Sequence, residues 1–430
     1  MNTSSSKQKA VIVTCNDLPI FSDNGVSVYL WSLAKALHRK GFEVHVISFN
    51  TDISQWAKVF NKKSLIEIKQ TLKDEDIFAH LLTPNPTDNL VKGKLETIRR
   101  TLFPRPSDFY TGFEAAPLVK KLIDEINPSL VLTWMANATA SVLPNTHVNY
   151  RLIGLVTDID PLVRKNRLMQ WQNNTMQRQL IRFRKTIMDL NLPGIYLTLF
   201  KNCDRIVCNA RHHTDWFIKN GFKDVRYFPI AVMDRNKSYM ISAHSANQSN
   251  QMLPQICLIG NVQGIASLTG LRFLCNEMLK DLSEVHSQTP FELIIAGRGE
   301  LEPDLTASFS KYSWIRRLGF VEDVSQLFLS CTIFLVPTPI SLGFRTRIAE
   351  AFSYGSCVIA HSANADGMPE LENEKNILLP VNGKEMVKAI ERCLESYDLR
   401  ESLGKAARKT FEEKYDGSKI ADQIVDYCTC

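Results

Sequence analysis

The sequence predicts an α/β protein of two Rossmann-like, doubly wound domains that face each other across a cleft. A chain of 430 residues is longer than one hydrophobic core usually holds. Short apolar runs typical of strands alternate with amphipathic helices in both halves of the chain. Between the halves, the segment from Asp234 to Met252 is polar, rich in Ser and Asn, and without periodicity.

These features place the domain boundaries. We expect a disordered start at 1–9, an N-terminal domain at 10–233, a linker at 234–252 and a C-terminal domain at 253–410. The last segment, 411–430, is expected to be a helix that packs back on the N-terminal domain.

The first half opens with a strand-helix-strand unit. AVIVTC is an apolar strand, GVSVYLWSLAKALHRK carries apolar residues at helical spacing up to Gly41, and VHVIS is the next strand. Such units build parallel sheets, and ligands bind at the carboxyl ends of their strands. Further strands are expected within 77–82, 129–135, 152–158 and 204–210.

The second half repeats the alternation. Strands are expected at QICLIG, FELIIAG, WIRRLGF, TIFLVP and CVIAHS, with helices between them. The helix before the last strand, RIAEAFSY, is expected to stop at Gly355, because glycine readily takes the left-handed conformation of a helix C-terminus. The tail after Gly383 is predicted to be helical.

Composition excludes several protein classes. The formal net charge of +6 is compatible with anionic ligands, but too small for a nucleic-acid binder. The ten cysteines form no C-x-x-C pair, which indicates reduced core residues of a cytoplasmic protein rather than metal ligands. The polar start and the lack of a long apolar run also favour a cytoplasmic location.

The stretch SLGFRTRIAEAFSYG places Arg345, Arg347 and Glu350 at the start of a helix. Backbone N–H groups and the helix dipole favour an anion there, and an arginine fork adds charge-assisted hydrogen bonds. A solvated charged face is the alternative explanation. The stretch therefore predicts an anion site.

The second half resembles glycosyltransferase family 4, the retaining GT-B enzymes of the group 1 glycosyl transferases. The motifs LIIAGRGE, LGFVEDVSQLFLSCTIFLVP, GFRTRIAEAFSYGSCVIA and GMPELENEKNILLP come in the family's order, from about Ile256 to Glu391. The N-terminal half resembles the family more loosely, through DNGVSVYLWSLAKALHRKGFEVHVIS and CDRIVCNARHHTDWFIKNGFKDVRYFPIAV.

The resemblance implies a retaining, metal-independent transferase without a cofactor. Its C-terminal domain would bind a nucleoside diphosphate sugar, and its N-terminal domain would bind a glycan, a lipid-linked glycan or a small acceptor. A catalytically silent GT-B subunit that binds a partner or a glycan is the alternative. Polysaccharide biosynthesis is the expected setting.

The resemblance also assigns roles in the donor stretch. Gly343 would let the backbone approach the diphosphate, Arg345 and Arg347 would stabilise its charge, and Glu350 would accept hydrogen bonds from the ribose. Arg345 would also act in catalysis. One position departs from the family pattern, because Leu342 stands where many relatives have a glutamate that faces the donor sugar.

Two other loops match donor-binding positions of the family. Phe320 and Val321 fall in the turn where relatives hold the base through backbone groups, and Arg298 would touch phosphate or be a loop arginine. Gly260 ends a strand, but the basic residues that relatives place after it are missing, with Asn261 in their stead. Arg345 and Arg347 would then supply that charge.

Donor and acceptor positions are also expected in the N-terminal domain. Asn24 and Gly25 match a loop whose amides would meet the diphosphate, although a helix-entry turn explains them equally well. Asp158 takes the family's aspartate position and would orient or deprotonate an acceptor hydroxyl. Asp160 is a rival for this role, and loop capping is an alternative.

The segment 164–185 combines several basic residues with a tryptophan and methionines, and it contains no acidic residue. Basic helices with apolar partners lie on anionic membrane surfaces, so peripheral membrane contact is one expectation. A solvated basic helix is the other.

Overall fold

The structure is a computed structural model that describes residues 7–19, 25–50, 65–83, 94–143, 149–169, 176–234 and 253–430. Asn24 and linker residues 235–252 lie outside these ranges. The chain divides into two compact units, one comprising Met1–Ala231 with Ser418–Cys430 and the other Val232–Gly417.

The first unit is built on a parallel sheet of seven strands in the order β3-β2-β1-β4-β5-β6-β7. The strands are β1 (Lys9–Cys15), β2 (Glu43–Phe49), β3 (Ile77–Leu82), β4 (Leu130–Trp134), β5 (Arg151–Val156), β6 (Arg205–Cys208) and β7 (Val225–Tyr227). β7 could not be predicted from the sequence, because its three residues, at a half-exposed edge of the sheet, form no apolar run.

Nine helices of the described part of the first unit precede the second unit in the chain. They are α1 (Gly25–Arg39), α2 (Leu65–Asp74), α3 (Lys94–Leu102), α4 (Gly112–Ile126), α5 (Met135–Val142), α6 (Asp160–Met169), α7 (Met176–Leu190), α8 (Leu192–Phe200) and α9 (Arg211–Lys219). The central strands are buried along most of their length, as expected for a parallel sheet covered on both faces.

The second unit has a parallel sheet of five strands in the order β10-β9-β8-β11-β12. The strands are β8 (Gln255–Ile259), β9 (Glu292–Ala296), β10 (Ile315–Gly319), β11 (Ile333–Val336) and β12 (Val358–Ala360). The helices are α10 (Ile265–Phe273), α11 (Leu279–Gln288), α12 (Pro303–Phe309), α13 (Ser325–Ser330), α14 (Thr346–Ser353), α15 (Gly383–Glu395) and α16 (Tyr397–Lys414).

The five strands expected in this half are confirmed. The helix expected to stop at Gly355 is α14, which ends at Ser353, and Gly355 follows with a φ of +66°.

The last helix, α17 (Gly417–Thr429), returns the chain to the first unit. Arg39 at the end of α1 forms an ion pair with Asp422, with 2.6 Å between Nη2 and Oδ1. Arg151 at the start of β5 donates a hydrogen bond of 3.0 Å to the Cys428 carbonyl. These contacts attach the end of the chain to helix α1 and strand β5 of the first unit.

Both sheets have a topological switch point. In the first unit the chain leaves β1 for β2 and β3 on one side and returns as β4 on the other side. In the second unit β8 is flanked in the same way by β9 and β11. Ligands of open α/β sheets bind beyond the carboxyl ends of the strands at such points. Each unit therefore has one place where its topology favours a ligand.

Candidate functional site

The switch point of the second unit lies between the ends of β8 and β11. The loop that follows β11 begins at Pro337 and leads to Arg345. Thr338 in this loop donates a hydrogen bond of 3.0 Å from Oγ1 to the Ala266 carbonyl, in the first turn of α10. The hydrogen bond holds this loop beside the helix that follows β8. The loops after β8 and β11 therefore lie together at the switch point.

Arg345 is the N-cap residue of α14, and its side chain is held by two hydrogen bonds. Its Nε donates to Asn364 Oδ1 at 2.8 Å, and its Nη2 donates to the Ile340 carbonyl at 3.4 Å. Asn364 is only 2% exposed and donates to the Thr338 carbonyl at 3.2 Å. These contacts fix the direction of the guanidinium at the N-terminus of α14, where an anion is favoured.

Arg347 and Glu350 form an ion pair within the first turns of α14. The distance between Arg347 Nη1 and Glu350 Oε2 is 2.5 Å, and Glu350 is the more buried partner. A carboxylate accepts about four hydrogen bonds, so the pair does not exhaust the capacity of Glu350. Gly343 and Leu342 are buried in the loop that precedes the helix, where Leu342 presents no charge.

Three glycines stand at the ends of the neighbouring strands β8, β9 and β10. Gly297 donates its N–H to the Gly319 carbonyl at 2.7 Å, and Gly260 donates to the Ala296 carbonyl at 2.9 Å. A Cβ on Gly297 would lie 1.6 Å from the Gly260 oxygen, and its φ is +147°. Only glycine fits this close approach, so the three loops form one compact rim.

Arg298 and Phe320 come together on this rim. The guanidinium carbon of Arg298 lies 4.3 Å from the ring centroid of Phe320, which is a cation–π contact. Phe320 is exposed and Val321 beside it is half-buried. Arg317 donates to the Gly299 carbonyl on the same rim and adds a second cation, which the motifs did not predict.

In the first unit, Gly25 is the first residue of α1, and Asp158 follows β5. The Asp158 backbone carbonyl accepts a hydrogen bond of 3.1 Å from the Tyr196 hydroxyl. Asp160, the rival carboxylate, begins α6, and burial followed by the Asp160 charge raises the pKa of the Tyr110 phenol. Tyr110 is almost fully buried, so Asp160 lies next to a side chain of the protein interior.

Comparison with known proteins decides the nature of the second unit. Residues 254–396 match the family model described as glycosyl transferases group 1. Over these residues the second unit is similar to the group 1 glycosyl transferases. This confirms the resemblance found in the motifs. A search of curated protein sequences finds no match.

Solved structures share the fold over almost the whole chain. Sucrose-phosphate synthase from Thermosynechococcus elongatus superposes with a TM-score of 0.68 at 16% identity, covering 98% of both chains. HepE from Anabaena with UDP-glucose gives 0.62 at 15% identity, covering 97% of this chain and 98% of HepE. A TarM variant from S. aureus with fondaparinux, α-GlcNAc-glycerol and UDP gives 0.62 at 9% identity, covering 98% and 100%. The predicted α/β GT-B fold is confirmed.

The second unit contains most of the donor-site residues expected from the sequence, in two groups. Gly343, Arg345, Arg347 and Glu350 belong to the loop after β11 and to α14, and Gly260, Arg298, Phe320 and Val321 belong to the rim after β8, β9 and β10. Gly25 and Asp158 lie in the first unit, and Asn24 lies outside the described residues. Asn364 was not predicted from the sequence, because its role depends on a tertiary contact with Arg345 that no local pattern shows.

Neither a metal cluster nor a membrane-spanning helix is found in the described ranges. No three or more His, Cys, Asp or Glu side chains in the described ranges are grouped so that they could hold a metal ion. The helices of these ranges also include none with the length and apolar character needed to cross a bilayer.

His213 is a buried histidine of the first unit that lies near Thr157, the residue before Asp158. It stands in the first turn of α9, is 2% exposed, and its ring meets that of His212 with centroids 4.2 Å apart. Burial, and next the His212 charge, lower the pKa of His213 to about 3, against a weaker opposing effect of a backbone hydrogen bond to Thr157.

This pKa predicts acid sensitivity of the fold. Below pH ~6.5 the unfolded chain binds a proton at this histidine while the folded chain does not, so stability present above that pH is lost as the pH falls towards 3. At pH 5 the loss should be about 2 kcal/mol, since one pKa unit is worth about 1.36 kcal/mol. Urea unfolding of His213→Phe at pH 7 and pH 5 should show a smaller decrease than the wild type. Equal decreases would contradict the prediction.

Proposed function

We propose that the protein is a retaining glycosyltransferase that moves a sugar from a nucleoside diphosphate sugar to a hydroxyl group. The acceptor would be a glycan, a lipid-linked glycan or a small molecule, in polysaccharide biosynthesis. The observation that carries the proposal is Arg345, oriented by Asn364 at the N-terminus of α14 and at the switch point of the second unit. UDP is the nucleotide to test first, because HepE and TarM were solved with UDP or UDP-glucose.

In this proposal the donor binds to the second unit. The diphosphate would accept hydrogen bonds from the N-terminal amides of α14, and the Arg345 guanidinium would stabilise the charge that grows on it as the glycosidic bond breaks. Glu350 would accept hydrogen bonds from the ribose. The stacked pair of Arg298 and Phe320 offers a planar cation and an exposed ring against which a base can pack. No metal would be required, because these groups supply the positive charge.

The acceptor would bind to the first unit, with Asp158 as a hydrogen-bond acceptor for its hydroxyl group. The half-buried position of Asp158 after β5 supports this role, since a carboxylate there is fixed by its backbone and still reachable. Retention of the anomeric configuration follows the group 1 resemblance.

A membrane contact through helices α3 and α7 completes the proposal. Residues 179–186 of α7 are all exposed, over two full turns. Arg184 Nε donates 2.8 Å to Thr101 Oγ1 of α3, which joins the two helices. We call the exposed apolar side chains here the docking surface, namely Ile98, Leu102, Phe103, Leu180, Ile181, Phe183 and Leu190. Because Arg182, Arg184 and Lys185 stand among these side chains, the partner with complementary chemistry is an anionic bilayer.

Calorimetry with UDP and uridine tests the donor site. UDP should bind at least a hundredfold more tightly than uridine, because charge-assisted hydrogen bonds to phosphate are the strongest contacts available here. Equal affinities would contradict the donor site. Release of UDP from UDP-glucose without an acceptor then separates an enzyme from a catalytically silent subunit, which would bind UDP and release none.

A further inference from the structure

The switch point of the first sheet is marked by strain on both of its strands. Asn16 follows β1 with a φ of +67°, and Met135 follows β4 with a φ of +66°. Asparagine tolerates this left-handed region, whereas methionine lacks the short polar side chain that eases it. Residues held in such conformations cost roughly 1–3 kcal/mol and persist where the surroundings impose them, often at functional sites. The surrounding structure therefore fixes the backbone conformation on both sides of this switch point.

Asp17 is the residue that this strained turn presents. Its backbone carbonyl accepts a hydrogen bond of 2.5 Å from Thr14 Oγ1 and another of 2.9 Å from Ser48 Oγ, while the Asn16 N–H donates to the Phe49 carbonyl at 3.1 Å. Three bonds thus attach the turn to β1 and β2. The direction in which the Asp17 side chain leaves the sheet edge is fixed by its backbone.

The carboxylate of Asp17 reaches across the switch point to β4. The indole N–H of Trp134 donates a hydrogen bond to it, and burial raises the pKa of Asp17 to about 6. Trp134 is itself buried and packs on Tyr29, with ring centroids 5.2 Å apart. A carboxylate accepts about four hydrogen bonds, and one indole donor uses only part of this capacity. A half-buried carboxylate in this position suits the O–H donors of a ligand.

The negative charge of Asp17 discriminates between a phosphate and a sugar hydroxyl as its ligand. A carboxylate repels phosphate, so a diphosphate is disfavoured beside Asp17. A sugar hydroxyl donates a hydrogen bond and carries no charge, and it fits. Asp158 follows β5 and therefore also lies at the carboxyl ends of the strands. One strand, β4, separates β5 from β1. Adjacent strands are about 4.8 Å apart, so the two carboxylate-bearing turns are separated by roughly 10 Å along the edge, which suits a saccharide between them.

We propose that Asp17 binds a hydroxyl group of the saccharide acceptor at the switch point of the first sheet. This assignment rests on the proposed glycosyltransferase function and adds to it a residue that determines acceptor binding. Trp134 is the positioning residue, because its indole holds the carboxylate in place.

The test uses Asp17→Asn in the full chain, with UDP-glucose as donor and a panel of methyl glycosides and disaccharides as acceptors. Asparagine keeps the shape and the oxygen that Trp134 contacts, but it loses the charge. We expect acceptor-stimulated UDP release to fall at least tenfold in kcat/KM, since hydrogen bonds to charged groups are the stronger class. UDP release without acceptor and the UDP-induced rise in Tm should change little. Asp17→Glu should recover part of the stimulation.

Asp204→Asn is the matched control. Asp204 precedes β6, at the amino ends of the strands, whereas Asp17 lies at their carboxyl ends. Its carboxylate accepts a hydrogen bond of 2.7 Å from the Leu152 N–H. Acceptor stimulation should therefore stay as in the wild type. Equal stimulation in the wild type and Asp17→Asn, or no stimulation of the wild type by any saccharide, overturns the role of Asp17. A wild type that neither binds UDP nor releases it from UDP-glucose overturns the proposed function, and the role of Asp17 falls with it.

Discussion

Arg345→Ala should lower turnover by roughly a hundredfold or more, the loss typical when one preorganised donor to a developing anion is removed. Arg345 stands at the N-cap of α14, where it would meet the charge on the leaving diphosphate. Its neighbour Arg347 is engaged with Glu350 at 2.5 Å, and Asn261 replaces the basic residue expected after Gly260. Little else in this stretch could replace the charge. Steady-state rates of UDP release from UDP-glucose measure the effect.

A control variant separates this effect from a loss of stability. Arg345→Ala leaves the buried Oδ1 of Asn364 without its 2.8 Å hydrogen bond, which should cost about 1–3 kcal/mol of unfolding free energy. Asn364→Ala removes the same hydrogen bond and also those that Asn364 donates to the Thr338 and His361 carbonyls, so its Tm should fall at least as far. Because it keeps the guanidinium, its turnover should fall less than tenfold. Near-normal turnover of Arg345→Ala, or an equal loss in both variants, would remove this stretch from the active site.

The sequence predicts the second sheet well, because four of its five strands, all except β10, are apolar runs between turn residues. β8, β9 and β11 are buried along most of their length, and CVIA follows a helix that ends at a glycine. The edge strand β7 was missed, since an edge strand needs neither burial nor alternation over three residues. Local sequence patterns therefore predict buried strands more readily than short, exposed edge strands.

The site residues divide in the same way. Arg345 and Glu350 could be predicted because a helix start, a glycine and charged residues are adjacent in the sequence. Asp17 could not, because its partner Trp134 ends a strand far along the chain, and the strain at Asn16 and Met135 is a property of backbone angles. Asn364 was missed for the same reason, as its role arises from tertiary contacts with Arg345 and the Thr338 carbonyl.

Replacing Leu180 and Phe183 together by serine should reduce binding to anionic vesicles at least tenfold. Leu180 is 62% exposed and Phe183 65% exposed, three residues apart on α7, so both can enter the same interface. Burial of two such side chains is worth roughly 3 kcal/mol or more, and about 1.4 kcal/mol is a factor of ten. Sedimentation with vesicles of phosphatidylcholine and phosphatidylserine at low salt measures the change.

The electrostatic part of this binding has its own signature. Arg182→Gln and Lys185→Gln should each weaken binding about fivefold, since a basic residue near an anionic surface contributes about 1 kcal/mol. Added salt should release the wild type, because screening shortens the reach of these charges. Ile218→Ser is the matched control: Ile218 is 52% exposed on α9, outside the docking surface, and its loss should leave sedimentation unchanged. If the wild type does not sediment at low salt, or if Ile218→Ser weakens binding as much as the double variant does, the docking surface is only a solvated face.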